Sequence, residues 1–162
     1  MAVINVSAGN EAVVELFNQT DGVFDETSAN VLTIPFMQDV TVNNATGTFR
    51  YKTLDSGSEA VVTTPATNQL SLNGIVDSDA FFGITGSTDG DIKLKGMFGT
   101  SGDKTEVGFK IYFNGTDTGS IYLTGLGFIS GLAPTVNPDA PLWVTPVQIE
   151  VNGDFTEAVV PV

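Results

Sequence analysis

The chain has 162 residues, with six basic and nineteen acidic side chains, a net charge of −13, and neither histidine nor cysteine. That length suits one domain able to bury roughly 70% of its unfolded surface; the missing residues exclude a disulfide or thiolate-metal framework and remove the usual general base. So acidic a chain repels nucleic acid and anionic lipid, although such a charge also serves solubility alone.

No segment approaches the ~20 apolar residues of a membrane span. Met1–Ala8 has no basic start and no sustained apolar run, so it does not read as a signal peptide. The expected product is intracellular, or exported by assembly rather than secretion, with no membrane partner.

Ala2–Ser7 is β-rich and fits an edge strand or an arm. Ala12–Phe17 reads equally as a strand or as one or two helical turns. Asn18–Asn30 is polar, with a turn signal at Asp21-Gly22, yet contains Val23 and Phe24. Val31–Phe36 alternates through Leu32, Ile34 and Phe36, and Pro35 marks an edge or a strand end. Val40 and Val42 begin a short strand. Thr48–Thr53 sets Phe49 and Tyr51 against Arg50 and Lys52, Ser56–Ser58 is a turn, and Glu59–Thr64 is a strand closed by Pro65.

Gln69–Val76 alternates Leu70 and Leu72, with Asn73-Gly74 suggesting a bulge. Asp77–Phe82 fits one capped helical turn. Asp89–Phe98 places Ile92 and Leu94 opposite Lys93 and Lys95, as a strand would, and Gly99–Asp103 is a turn. Glu106–Gly127 is the clearest element. Val107, Phe109, Ile111 and Phe113 alternate with Gly108, Lys110 and Tyr112, Asn114-Gly115 reverses the chain, and Ile121 and Leu123 resume. Such a hairpin is marginal alone and needs further strands over its apolar side. Gly125–Asn137 is Gly-rich and irregular, Trp143–Val151 is the last clear strand, and Asp154–Val162 is an acidic, then apolar tail.

Nine to eleven short strands and at most two short helices predict an all-β fold, a sandwich or barrel of mainly antiparallel strands. Residues 1–162 form one domain, with 1–10 and 154–162 as candidate arms.

Catalytic chemistry is weakly signalled. Asp77 with Asp79, and Asp89 with Asp91, are the best carboxylate clusters, but Phe81 falls where a calcium loop needs a ligand and no glutamate follows in register. A glycosidase would also need aromatic platforms, whereas the lone Trp143 lies in a strand. No S-x-x-K motif occurs, and Gly83–Gly86 lacks the lysine of a phosphate loop. No catalytic, metal or cofactor-binding residue is assigned.

Apolar residues in unexpected places remain: Val23 and Phe24 in a polar loop, Phe81 and Phe82 at a corner, and Val159, Val160 and Val162 in the tail. They either form small clusters beneath loops or dock into another copy. Lys93 and Lys95 are added as contacts to acidic loops of a neighbour, each exposed pair contributing only ~0–1 kcal/mol.

The segment Phe49–Gly83 resembles the central part of tail tube proteins from long-tailed, siphovirus-like bacteriophages. The hairpin, the Gly-rich stretch after Leu123 and Val147–Thr156 resemble their C-terminal half. The likeness spans about residues 30–157 and lies in pattern and order. It implies a β-sandwich with a flanking helix, supplied by Ala12–Phe17 or Asp77–Phe82. It also implies six-membered rings whose inner sheets join into a barrel lumen, and rings stacked by extended loops and terminal arms. The tube belongs to the virion tail, is assembled in the host cytoplasm with other tail proteins, and passes DNA without binding it. Six copies would carry −78 per ring, and a negative lumen lets DNA slide. A capsid-decorating or surface-binding sandwich is the alternative, and a carboxylate hydrolase a distant third.

Overall fold

A computed structural model describes residues 12–27, 30–34, 37–52, 57–65, 67–75, 78–84 and 91–162. Among them are thirteen strands and two helices, and the strand pairings are antiparallel. The fold is all-β, as expected. The candidate arm at 1–10, the turn residue Ser56, and Asp77 and Asp89 lie outside the described residues.

β1 (Val13–Phe17) is a strand, which settles the ambiguity of that segment. It carries β4 (Val31–Ile34) on one edge and β9 (Val107–Tyr112) on the other. Between β1 and β4 the chain makes a small hairpin, β2 (Gln19–Thr20) and β3 (Val23–Phe24). Asp21 and Gly22 turn it with φ of +51° and +81°, the left-handed pair a two-residue hairpin loop requires.

β5 (Met37–Asn44), β6 (Gly47–Tyr51), β7 (Ala60–Thr64) and β8 (Asn68–Ile75) follow. β9 then pairs with β10 (Ile121–Leu132), which completes the expected hairpin. Val107, Phe109 and Ile111 are buried, facing Gly127, Gly125 and Leu123 across the pair. A Cβ on Gly125 would stand 2.8 Å from Cζ of Phe109, and one on Gly127 2.8 Å from Cγ2 of Ile149. The glycines make room for large neighbours within a regular strand. The Gly-rich stretch expected to be irregular is therefore largely sheet, with β10 running to Leu132 and β11 (Thr135–Asn137) following.

The distal end of β10 pairs with β12 (Ala140–Val151), then come β8 and β5, giving the order β4-β1-β9-β10-β12-β8-β5. β11 pairs with β12, and β13 (Thr156–Val159) pairs with the start of β10. The stretch read as a tail thus contains a strand. The bulge suggested at Asn73-Gly74 falls on the facing strand, where β5 shifts register between Met37 and Asp39. A second shift interrupts β10 between Ile129 and Gly131.

Both halves of the sheet contribute to one core. Val14, Leu16, Phe109 and Ile111 come from one half, Leu70, Leu72, Val147 and Ile149 from the other. Ala80 and Phe81 of α1 (Ser78–Phe82) and Ile92 and Met97 of α2 (Asp91–Gly102) join it.

α2 corrects the reading of Asp89–Phe98 as a strand and Gly99–Asp103 as a turn. It is longer than α1, the helix that forms where a helical turn was expected at Asp77–Phe82, whereas Ala12–Phe17 holds a strand. Four residues of alternation, Ile92–Lys95, mimicked a strand, whereas beyond Gly96 the buried Met97 and Thr100 lie three apart, as on one face of a helix. Gly96 interrupts the helix with φ +66° and ψ −175°. A Cβ there would strike the backbone of Phe81 and Gly83, so this glycine lets α1 and α2 touch backbone to backbone. The amide of Ile84 donates to the Lys93 carbonyl at 3.1 Å, joining them further.

Candidate assembly surfaces

The outer face of β5, β8, β12 and the end of β10 is open and polar. Opposite residues in antiparallel strands share a face, so the register sets Asn43, Gln69, Glu150 and Phe128 in one row, Thr41, Ser71 and Gln148 in a second, and Asp39, Asn73 and Pro146 in a third. The Gln69 side-chain amide donates to Glu150 at 2.8 Å, and the Ser130 hydroxyl to the Gln148 carbonyl at 3.2 Å. These rows contain no lysine or arginine. The face thus offers amides, hydroxyls and two carboxylates, and no cation to hold a phosphate.

β6 and β7 form a separate two-stranded ribbon. It continues from β5 and β8, whose pairing ends at Asn44↔Asn68. Five residue pairs make it roughly 17 Å long. Its root is fastened by the side-chain amide of buried Asn68, which donates to the Gly153 carbonyl at 2.9 Å. Phe49, Tyr51 and Val62 share one face of the ribbon and are all exposed, and the two rings stack 6.5 Å apart. Arg50 lies on the opposite face and pairs with Glu59 at 3.6 Å.

A second aromatic surface lies on the helices. Phe82 and Phe98 are 52% and 60% exposed, with ring centroids 6.2 Å apart. Both lean on Phe81, whose ring is buried in the core. Leu94 and Ile84 are also exposed.

The other half of the sheet is covered on its outer side. Phe24 stacks on Phe17 at 5.4 Å and sits over Gly108. Nearby, the Lys110 ammonium pairs with Glu26 and stands 5.1 Å and 5.3 Å from the rings of Phe17 and Tyr122. Glu15, Lys93 and Tyr112 line the same cleft of about 650 Å³. Burial raises the Glu15 carboxyl above its usual range, with Lys110 opposing and Glu26 adding to the rise. Burial, then the charge of Glu15, pushes the Tyr112 phenol up to about 12. Asp25 is held below the usual range by hydrogen bonds from Thr27 and Asn30. Among the described residues no group of three His, Cys, Asp or Glu could hold a metal, and no helix is long and apolar enough to cross a membrane.

The expected contact residues do not form one surface. Val23 is 70% exposed at the tip of the small hairpin, while Phe24 beside it packs on its own chain. Phe81 is core, so only Phe82 of that pair presents a surface. Lys95 pairs with Asp103 of its own chain at 2.9 Å. Val159 is exposed opposite exposed Ile121, the Val160 amide donates to Ser120 at 2.9 Å, and Val162 is fully exposed. Sequence reasoning missed Phe49, Tyr51, Val62 and Phe98 as surface groups. The alternation at Phe49–Lys52 signalled an amphipathic strand, but nothing in it reveals that the strand lacks a covering layer.

No protein-family model and no curated sequence matches the chain. Solved structures do match. The SPP1 tail tube superposes with a TM-score of 0.66 at 8% identity, over 97% of this chain and 81% of that one. A chain of the native gene transfer agent virion gives 0.63 at 11% identity, over 94% and 99%. A chain from the sheath/tube terminator of an extracellular contractile injection system gives 0.61 at 12%, over 97% and 99%. Nearly the whole chain is matched in each case, and it has the fold of phage-type tail tube proteins.

Proposed function

We propose that the chain is a structural subunit that assembles with copies of itself into the tube of a phage-type tail. The observation that carries this reading is the Gly47–Thr64 ribbon. An isolated two-stranded ribbon is marginal in water, and this one exposes an aromatic face with no covering layer among the described residues. A neighbouring subunit supplies that layer in an assembly. The exposed Ile121–Val159 pair and Val23 add further apolar surface for contacts between copies.

The fold likeness supports rings of six. The gene transfer agent tail was refined with C6 symmetry, and another neighbour, an anti-feeding prophage baseplate, is six-fold symmetrised. In such a ring the β5-β8-β12-β10 face lines the bore. It is the broad sheet face with amides and hydroxyls outward, two carboxylates and no cation, so a passing polyanion finds nothing to neutralise it. The function is passive, through shape and charge, with the protein resident in the virion tail after assembly in the host cytoplasm.

Negative-stain microscopy of concentrated protein, with and without tail tips as seeds, tests the reading. Rings or tubes are expected. A monomer under both conditions that instead coats preformed shells would replace it with the decoration role.

A further inference from the structure

We infer that the aromatic face of the Gly47–Thr64 ribbon seats on the Phe82–Phe98 surface of a second copy; the inference rests on the self-assembly reading above. Each surface bears a pair of rings, 6.5 Å apart on the ribbon and 6.2 Å apart on the helices. Aromatic pairs gain from offset or edge-on contact in addition to buried area.

Charge identifies the occupant. At −13, two copies repel each other over most of their surfaces. Residues 47–64 hold two basic and two acidic side chains, and residues 78–104, which carry both Phe82 and Phe98, hold three basic and four acidic. The rest of the chain therefore has one basic residue, Lys110, against thirteen acidic ones. Five of the six cations thus lie on the two segments that carry the exposed rings. These are the places where an acidic chain can approach its own kind with the least Coulombic penalty. A partner with a basic face would be drawn elsewhere on the molecule.

The two surfaces differ, and in a tube the contact is head-to-tail. A head-to-tail pair leaves one ribbon and one seat unfilled until a ring closes or a filament extends, whereas a reciprocal two-fold dimer would fill both and stop there. Four half-exposed aromatic side chains bury roughly 300–500 Å² per contact. That is far below the ~1,600 Å² in total typical of a stable pair, so the contact holds through repetition and assembly is cooperative.

The chain has no native cysteine, which permits a clean cross-linking test. Val62→Cys and Phe98→Cys are made as separate full-length variants, mixed, assembled and oxidised, with microscopy scored in parallel. The expected result is a 62–98 disulfide between different chains that dominates over links within either variant alone. Tubes whose Val62→Cys chains link only to each other place ribbon on ribbon and overturn the seat. Tubes with no link overturn it as well, and assign the helix surface to another tail protein. A chain that neither assembles nor cross-links fails the reading and the seat together. Wild-type circular dichroism and melting of both variants show that a missing link is not a folding failure.

Discussion

Gly108 and Phe24 fit together because one lacks a side chain. A Cβ on Gly108 would stand 2.5 Å from Cε1 of Phe24 and 2.7 Å from Cδ1 and Cζ. The ring lies on β9 where other residues would project, and stacks on Phe17 at 5.4 Å. The small β2-β3 hairpin is thereby fastened to the main sheet.

Gly108→Ala is expected to displace that ring and destabilise the chain by about 1–3 kcal/mol, the range of an overpacked interior. Phe24→Leu should lose part of the same contact, and the double variant should cost less than the sum of the two. Urea denaturation of the four proteins reads the coupling. Additive losses would mean that the ring and the glycine act independently.

Two groups beside Lys110 set opposite ends of the pH profile. The Glu15 carboxyl is raised by burial, so the folded state holds its proton more tightly than the unfolded chain does. The resulting stability is complete below the ordinary value of 4.5 and is lost as pH rises through the raised one. Glu15→Gln should remove this decline and gain on the wild type between acid and neutral pH. The Tyr112 phenol is raised from 10.0 to about 12. Stability should therefore fall between those values, and Tyr112→Phe should abolish that fall. Denaturation midpoints across pH, with phenolate absorbance at the alkaline end, check both.

Asp39→Lys combined with Gln148→Lys would place cations on the polar sheet face. Both positions are exposed, so stability should change by no more than about 0.5 kcal/mol. Tubes of this variant should retain duplex DNA at low salt and release it as salt rises, while wild-type tubes retain none. Nuclease protection measures retention. Equal retention by both would remove this face from the bore.

Phe49→Ser with Tyr51→Ser should leave the melting temperature nearly unchanged, because the ribbon lies outside the core. The same change should abolish or shorten assemblies, since its rings have their partners in another copy. Sedimentation velocity at matched concentration reads the loss. Unaltered assembly would release the ribbon from any contact role.

Much of this fold was legible because local signals agreed. Asp21-Gly22 turned where the dipeptide predicted, and Val107, Phe109 and Ile111 faced the core as their alternation required. α2 was misread because Gly96 breaks its helical period and Ile92–Lys95 alternates by chance. The extent of β10 was hidden because its glycines are matched to Phe109 and Ile149, residues distant in sequence. β13 depends on Ile121–Thr124 for its pairing. The surfaces were harder still. Phe81 and Phe82 are adjacent and chemically identical, yet one is 2% and the other 52% exposed, a difference made by the packing of α1 against α2.

Cryo-electron microscopy of tubes grown from the purified chain measures the assembly most directly. The expected map has six copies per ring, Thr41, Ser71 and Gln148 facing the bore, and each Gly47–Thr64 ribbon lying on a neighbouring subunit. A chain that stays monomeric at high concentration and on tail-tip seeds, or tubes with that sheet face turned outward, would contradict it.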